Sequence, residues 1–388
     1  MKNLLFVTYS IACFIAVGSQ TLSNVKTLYT DLFANYKKEV IPTDPTTPLV
    51  VNTTFYLNSI HSLNEIEESI TMTGSFSVVW TDQSLTWNPA SYGYLYVIVI
   101  DTKDMWTPPL FISNRVDALE PLGSDTRFFS TLLYDGKVYH SPGDLFEVKC
   151  SIDISKFPYD TQECTMPVFT WGIPSDFLIL NDITRAINFD YYIPNSDWTL
   201  EESKTYVNTW NHYSAFNVEI KLRRQPLYYS VMVVLPTLLF AILNPLVFVL
   251  PVDSGERIGL AMTILLSYAI FLTLVSASIP ASSNPMCVLL IIMIVTITTS
   301  GLIAIVTILI SRYYHMENVE NVCACLKQLT RWRLKRFQHK VEAFDIKNEK
   351  ELSISGKDIA DVLDFFCLIG SYVSLAIITV GYFIYVIS

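Results

Sequence analysis

The sequence is poor in the residues on which most enzymes and metalloproteins depend. Its five histidines, His61, His140, His212, His315 and His339, are scattered without metal-ligand spacing. No nucleophile motif and no glycine-rich phosphate loop occurs. These absences argue against an enzyme and against a bound cofactor or metal. Charge is also scarce, at 16% of residues, and the net charge of −10 disfavours a nucleic-acid partner. Between Arg257 and Pro285 there is no charged residue at all. Cysteine occurs only seven times, too seldom for a disulfide-built scaffold.

What the chain does have is apolar length. Hydrophobic residues make up 51% of it and the mean hydropathy is +0.37, a value that suits several membrane spans. At 388 residues, about two or three domains are expected. Charge divides along the chain. Residues 19–225 hold 14 Lys and Arg against 25 Asp and Glu, a net of −11, whereas residues 312–359 hold 10 against 7, a net of +3. An acidic outer part and a basic inner loop fit a membrane protein.

Residues 1–18 read as a secretory signal, with Lys2 before the apolar Leu4–Val17 and small residues at Ala16 to Gly18. The following segment would then lie outside the cell. Asn52-Thr53-Thr54 is a glycosylation acceptor on that side. A helical pattern over 25–38 (Val25, Leu28, Leu32, Phe33, Tyr36) ends at Pro42, Pro45 and Pro48. From Leu49 to Leu222, short runs rich in Val, Ile, Thr, Tyr and Phe alternate with Pro, Gly, Asn and Asp clusters. The runs Val50–Leu57, Ser75–Trp80, Tyr94–Ile100, Phe128–Tyr134, Leu145–Ile152 and Phe216–Leu222 predict an antiparallel sandwich or barrel. Cys150 and Cys164 are the only cysteines there, so a disulfide between them is the simplest pairing. Closing that loop would contribute roughly 3 kcal/mol. Cys287 and Cys367 lie in apolar runs, and Cys323 and Cys325 form a C-x-C pair, read as reduced thiols although a metal or a lipid is the alternative.

Four apolar spans follow: Leu227–Leu250, Ile258–Ala277, Met286–Ile310 and Phe365–Ile387. The second is not uniformly apolar. On helical spacing one face carries Glu256, Gly259, Thr263, Leu266, Ile270, Thr273 and Ala277. Lipid gains nothing from that order. A narrow aqueous path would: a carboxylate ring attracts cations, hydroxyls support partly dehydrated ions, and an apolar ring closes by dewetting. The alternative is an ordinary buried helix with a few tolerated threonines.

The thirteen residues between Cys150 and Cys164 carry Phe157-Pro158-Tyr159-Asp160 at their centre. This loop resembles the signature of the Cys-loop, pentameric ligand-gated ion channels. Trp80-Thr81-Asp82, Trp87-Asn88-Pro89, Trp106-Thr107-Pro108, Arg224-Gln225-Pro226-Leu227-Tyr228 and Asp253-Ser254-Gly255-Glu256-Arg257 are similar to further motifs of its nicotinic-like, cation-selective branch. The resemblance implies a multi-domain membrane protein: an extracellular antiparallel β-sandwich over 19–225, transmembrane helices 1–3 in 226–311, an intracellular loop over 312–359, and a fourth helix in 360–388. Both mature termini would be extracellular, the protein would sit in the plasma membrane among lipids, and four further subunits would complete a pentamer.

Within such a pentamer, Glu256 would form the inner carboxylate ring, Gly259 and Thr263 the narrow inner half, Leu266 and Ile270 the apolar gate, and Thr273 and Ala277 the outer end for permeant monovalent cations. Anion-selective relatives usually carry Pro-Ala where Gly255-Glu256 stand. The resemblance also implies an agonist box of aromatic rings between subunits, where a cationic amine is the natural small-molecule agonist. Trp171, seven after Cys164, and Tyr213, thirteen before Pro226, match box positions; core packing is their alternative reading. Ser113 and Ser75 stand where the pattern has rings, Tyr139 is a further candidate, and the vicinal cysteine pair is absent. Tyr206 or Trp210 is left to supply a replacement ring, as in an orphan invertebrate-type member. Coupling to the pore is expected at Glu65, Ile66, Phe157 to Asp160, Arg224 and the linker at Pro280, with Arg224 and Glu65 as an ion pair. Val319, Val322, Leu326 and Leu329 follow helical spacing, with Arg331, Arg333, Lys335 and Arg336 beside them for lipid headgroups. The competing readings are an accessory subunit that works only in heteromers and, less favoured, an anion channel.

Overall fold

The computed structural model describes residues 20–124, 127–277, 279, 285–316, 322–341 and 354–387. The signal segment, Pro280 and Val319 lie outside the described residues. The chain forms two compact units: Met1–Ile152 with Thr161–Arg224, and Asp153–Asp160 with Gln225–Ser388.

The first unit opens with helix α1, Leu22–Phe33, capped by Thr21, whose side chain accepts from the Asn24 N–H. Strands follow: β1 Leu49–Asn64, β2 Ser69–Thr81, β3 Val97–Asp101, β4 Leu110–Ile112, β5 Phe129–Leu133, β6 Lys137–His140, β7 Gly143–Lys149, β8 Thr161–Thr170, β9 Leu178–Asp182, β10 Trp198–Trp210 and β11 Tyr213–Arg224. They build a seven-stranded sheet in the order β3-β5-β6-β2-β1-β9, with β7 also on β2, and a four-stranded sheet β10-β11-β8-β4. Their residues alternate between a buried and a wet face, as strand geometry requires: in β2, Ile70, Met72, Phe76, Val78 and Trp80 are buried. The inner faces meet where Phe76 of one sheet approaches Phe216 of the other, with ring centroids 6.4 Å apart, and Phe55 and Phe146 extend this aromatic core. Gly74 is required there, since a Cβ on it would lie 2.6 Å from Phe55 Cζ. Cys150 and Cys164 are joined by a disulfide. Asn52 lies in β1, its Oδ1 accepting from Asn181 Nδ2 at 2.8 Å.

In the second unit, α2 spans Leu227–Val249, α3 Arg257–Ser276, α4 Val288–Tyr314, α5 Ala324–Val341 and α6 Gly356–Ile387. All but α5 are long and apolar enough to cross a membrane. Pro236 removes a helical donor within α2, where the backbone widens into a π turn at Ser230–Val234, and Thr237 Oγ1 donates to Val233 O at 2.8 Å. Val247 and Phe248 of α2, Ala261 and Ile264 of α3, Ile303, Ala304 and Ile310 of α4, and Ala360 of α6 form the core. The disulfide loop's tip belongs to this unit. The Phe157 ring stands edge-on to Tyr229 at 5.0 Å, Tyr159 Oη lies 3.1 Å from Ser230 Oγ, and the Val288 N–H donates to Ser155 O. Val322 precedes α5 rather than lying in it.

Candidate functional site

Two groups of side chains stand out, one in each unit. In the first, Phe169 is the hub. It is the penultimate residue of β8, directly across from Phe111 of β4 and Ala215 of β11. The small Ala215 leaves room beside it. Phe169 contacts Trp171 at 5.5 Å, Trp210 at 6.0 Å, and Tyr213 and Phe111 at 6.4 Å, while Phe111 and Trp171 meet at 5.8 Å. Phe169 is buried, but Trp171 is 52% and Trp210 54% exposed within the single chain. The result is a supported aromatic face with two indole rings open to a ligand.

The hairpin beside this face is tight. Trp210 and Tyr213 pair directly, leaving Asn211 and His212 as a two-residue turn with φ of 45° and 70°. Both central residues at positive φ is the primed-turn geometry that matches strand twist. The tip is tied down, because the Ser175 N–H donates to His212 O at 2.8 Å.

The structure brings Trp171, Tyr213 and Trp210 together. Tyr206 lies farther along β10, opposite Asn217. Ser113 follows β4, its N–H donating to Pro167 O. Ser75 and Tyr139 stand on the other sheet, in β2 and β6, with Lys137 Nζ 5.2 Å from the Tyr139 ring. Phe111 and Phe169 were missed in the sequence. The signal was parity: Phe111 is two residues before Ser113 and Phe169 two before Trp171, so each shares the face of its partner.

At the far end of the same sheet Arg224 is buried. Its guanidinium lies 2.6 Å from Glu65 Oε1 and 4.3 Å above the Trp198 ring. Ile66 beside Glu65 is exposed.

In the second unit, α3 divides into two faces. Arg257, Ala261, Ile264, Tyr268 and Val275 are buried. Glu256, Gly259, Thr263, Leu266, Ile270, Thr273 and Ala277 are all exposed in the single chain. Thr263 Oγ1 donates to Gly259 O at 2.8 Å and Thr273 Oγ1 to Ile270 O at 2.7 Å. Each hydroxyl proton is thereby turned back into the helix, and the oxygen lone pairs face outward as acceptors.

A disulfide-bearing sandwich followed by four membrane-length helices defines the class of a multi-pass membrane protein. Residues 25–226 match the neurotransmitter-gated ion-channel ligand binding domain and residues 233–356 the neurotransmitter-gated ion-channel transmembrane region. The chain belongs to the neurotransmitter-gated ion-channel family. It is 31% identical over 290 residues to acetylcholine receptor subunit alpha-1-B of Xenopus laevis, covering 71% of this chain and 63% of that one. It is 30% identical over 291 residues to acetylcholine receptor subunit alpha-type unc-38 of Caenorhabditis elegans, covering 67% and 57%. Acetylcholine receptor subunit alpha-like 2 of Drosophila melanogaster is 29% identical over 315 residues, covering 77% and 54%. The matched segment thus spans just over half to under two thirds of these relatives' lengths.

Proposed function

We propose that this chain is a subunit of a pentameric cation channel opened by a small-molecule agonist outside the membrane. The observation that carries the reading is the division of α3. The stripe that runs from carboxylate through hydroxyl and apolar residues is left uncovered along its whole length, while Ala261, Ile264, Tyr268 and Val275 face the bundle. Five such faces around an axis make a selective, closable path: Glu256 attracts cations, the lone pairs of Thr263 and Thr273 solvate them, and Leu266 with Ile270 closes by dewetting. An anion path is disfavoured by Glu256. The sandwich, 19–225, would lie outside the cell and the 312–359 loop inside, with both mature termini outside and lipid around the helices.

The agonist would dock on the rings of Trp171, Trp210 and Tyr213, which suit a cationic amine because their faces are electron-rich. Facing residues would come from a neighbouring subunit's Ser75 and Tyr139. Binding would couple to the pore through Glu65, Ile66, Arg224, the Phe157–Asp160 tip and the linker at Pro280. A second reading is favoured by Ser75, which puts no ring on the facing sheet: a chain that binds agonist only beside a different subunit.

Expression alone in oocytes, with a ligand and pH screen under voltage clamp, tests both. Agonist-evoked currents that reverse at the cation potential are expected, with Glu256→Ala moving the reversal potential toward chloride. Unchanged reversal in that variant removes the selectivity argument. Surface protein without current, rescued by a second subunit, favours the heteromer.

A further inference from the structure

The geometry points to Asp364 as a residue that sets ion selectivity from outside the conduction path, by holding the Arg257 guanidinium inside the helix bundle. The inference rests on the channel reading above and deepens it.

Glu256 and Arg257 are adjacent, oppositely charged and at the same end of α3. Five copies of each at one level would nearly cancel, and a ring with no net charge would sort ions poorly. The two side chains are treated differently. Glu256 is exposed and makes no side-chain capping bond. Arg257 is 3% exposed. Its Nη1 donates to Asp364 Oδ2 at 2.8 Å and its Nη2 bonds to Asp364 Oδ1, so the carboxylate grips both arms of the fork. The Phe248 ring lies 5.6 Å from the guanidinium carbon. The positive charge is neutralised among α2, α3 and α6, and the negative one is left uncovered.

Neighbouring charges are engaged elsewhere, which leaves this pairing specific. Arg333 of α5 donates to Asp361 O and lies 3.8 Å from the Phe365 ring. Asp253 accepts from Tyr314 Oη at 2.6 Å. Asp364 is therefore a positioning residue: it acts on the ions through where it keeps Arg257.

The test is the reversal potential of the full-length receptor in NaCl dilution. In Asp364→Asn the freed guanidinium competes with Glu256, and the cation-to-anion permeability ratio should fall about tenfold. Adding Arg257→Gln to that variant should restore the parent value, and Asp364→Glu should keep it. A purely structural pair would alter expression or current size in these variants and leave the reversal potential alone. A conducting Asp364→Asn receptor that reverses like the parent overturns the inference. If that variant alone reaches no surface, it is co-expressed with excess parent chain. Single channels should then include a population with displaced reversal, and one population at the parent value, with the tagged variant present at the surface, overturns the inference equally. Glu256→Gln is measured alongside. If it shifts the potential and Asp364→Asn does not, this inference alone fails; if Glu256→Gln also has no effect, the channel reading fails with it.

Discussion

The buried Arg224 forms an ion pair with the partly exposed Glu65, its guanidinium 2.6 Å from the carboxylate and stacked on Trp198. Removing either side chain takes away the other's close counter-charge, at a cost of about 1–3 kcal/mol. Arg224→Gln and Glu65→Gln should each lower the melting temperature of the detergent-solubilised receptor. The double variant should lose much less than the two losses added, because the shared penalty is counted once. Simple additivity in a double-mutant cycle would show that the two do not interact.

Phe169 supports the aromatic face from behind. Phe169→Leu keeps most of the buried volume but removes the ring contacts to Trp171, Trp210 and Tyr213, each worth about 0.5–1.5 kcal/mol. Once an agonist is in hand, its half-maximal concentration should rise about tenfold, with little change in surface expression. An unchanged dose–response curve would place the binding face elsewhere.

His140 is buried in β6, with Nδ1 3.1 Å from Ser130 Oγ and its ring edge-on to Trp80 and Phe128. Burial disfavours the imidazolium and pulls the pKa from 6.5 down to about 4. The unfolded chain therefore binds the proton more readily than the folded one. The folded state keeps its full stability above pH 6.5 and loses it as pH falls from there toward 4, by up to about 3 kcal/mol. His140→Gln should flatten the fall in melting temperature between pH 7 and pH 5. A parallel fall in both proteins would show that other groups govern acid lability.

Gly356 opens α6 against the end of α4. A Cβ there would run into the carbonyl oxygen of Tyr313 and lie 2.9 Å from that of Met316. Gly356→Ala should push the two helices apart at a cost of about 1–3 kcal/mol, measured as lower thermal stability in detergent. Wild-type stability would mean that the approach is not as close as the geometry shows.

Much of this was legible in the sequence, and the omissions have physical reasons. The disulfide partners and the polar stripe of α3 follow from cysteine placement and helical spacing, whereas the pairing of Arg224 with Glu65 was implied only by the family resemblance. Short strands such as β4 and β6 were passed over because three or four residues show too little alternation to distinguish from loop. Strand β10 was missed because its Glu, Ser, Lys and Asn content reads as surface, and it lies at the edge of its sheet. The start of α6 was hidden by its own acids. Asp358, Asp361 and Asp364 made the apolar run look as if it began at Phe365, yet the helix starts at Gly356: Ser355 engages the Asp358 carboxylate, Arg257 that of Asp364, and Arg333 the Asp361 carbonyl. Such partners are distant in sequence, and only the fold brings them together.

The turn at Asn211 and His212 has no spare chain, and its two strands pair from Trp210–Tyr213 to Trp198–Arg224 with one register shift, between Leu200 and Glu202. That ribbon is roughly 40 Å long at ordinary strand rise. A longer tip would let a push on the Trp210 ring die out in local flexing. Here the tip has little slack, so a push on it would pass into the paired strands and travel as far as the register shift between Leu200 and Glu202, just short of Trp198 and Arg224.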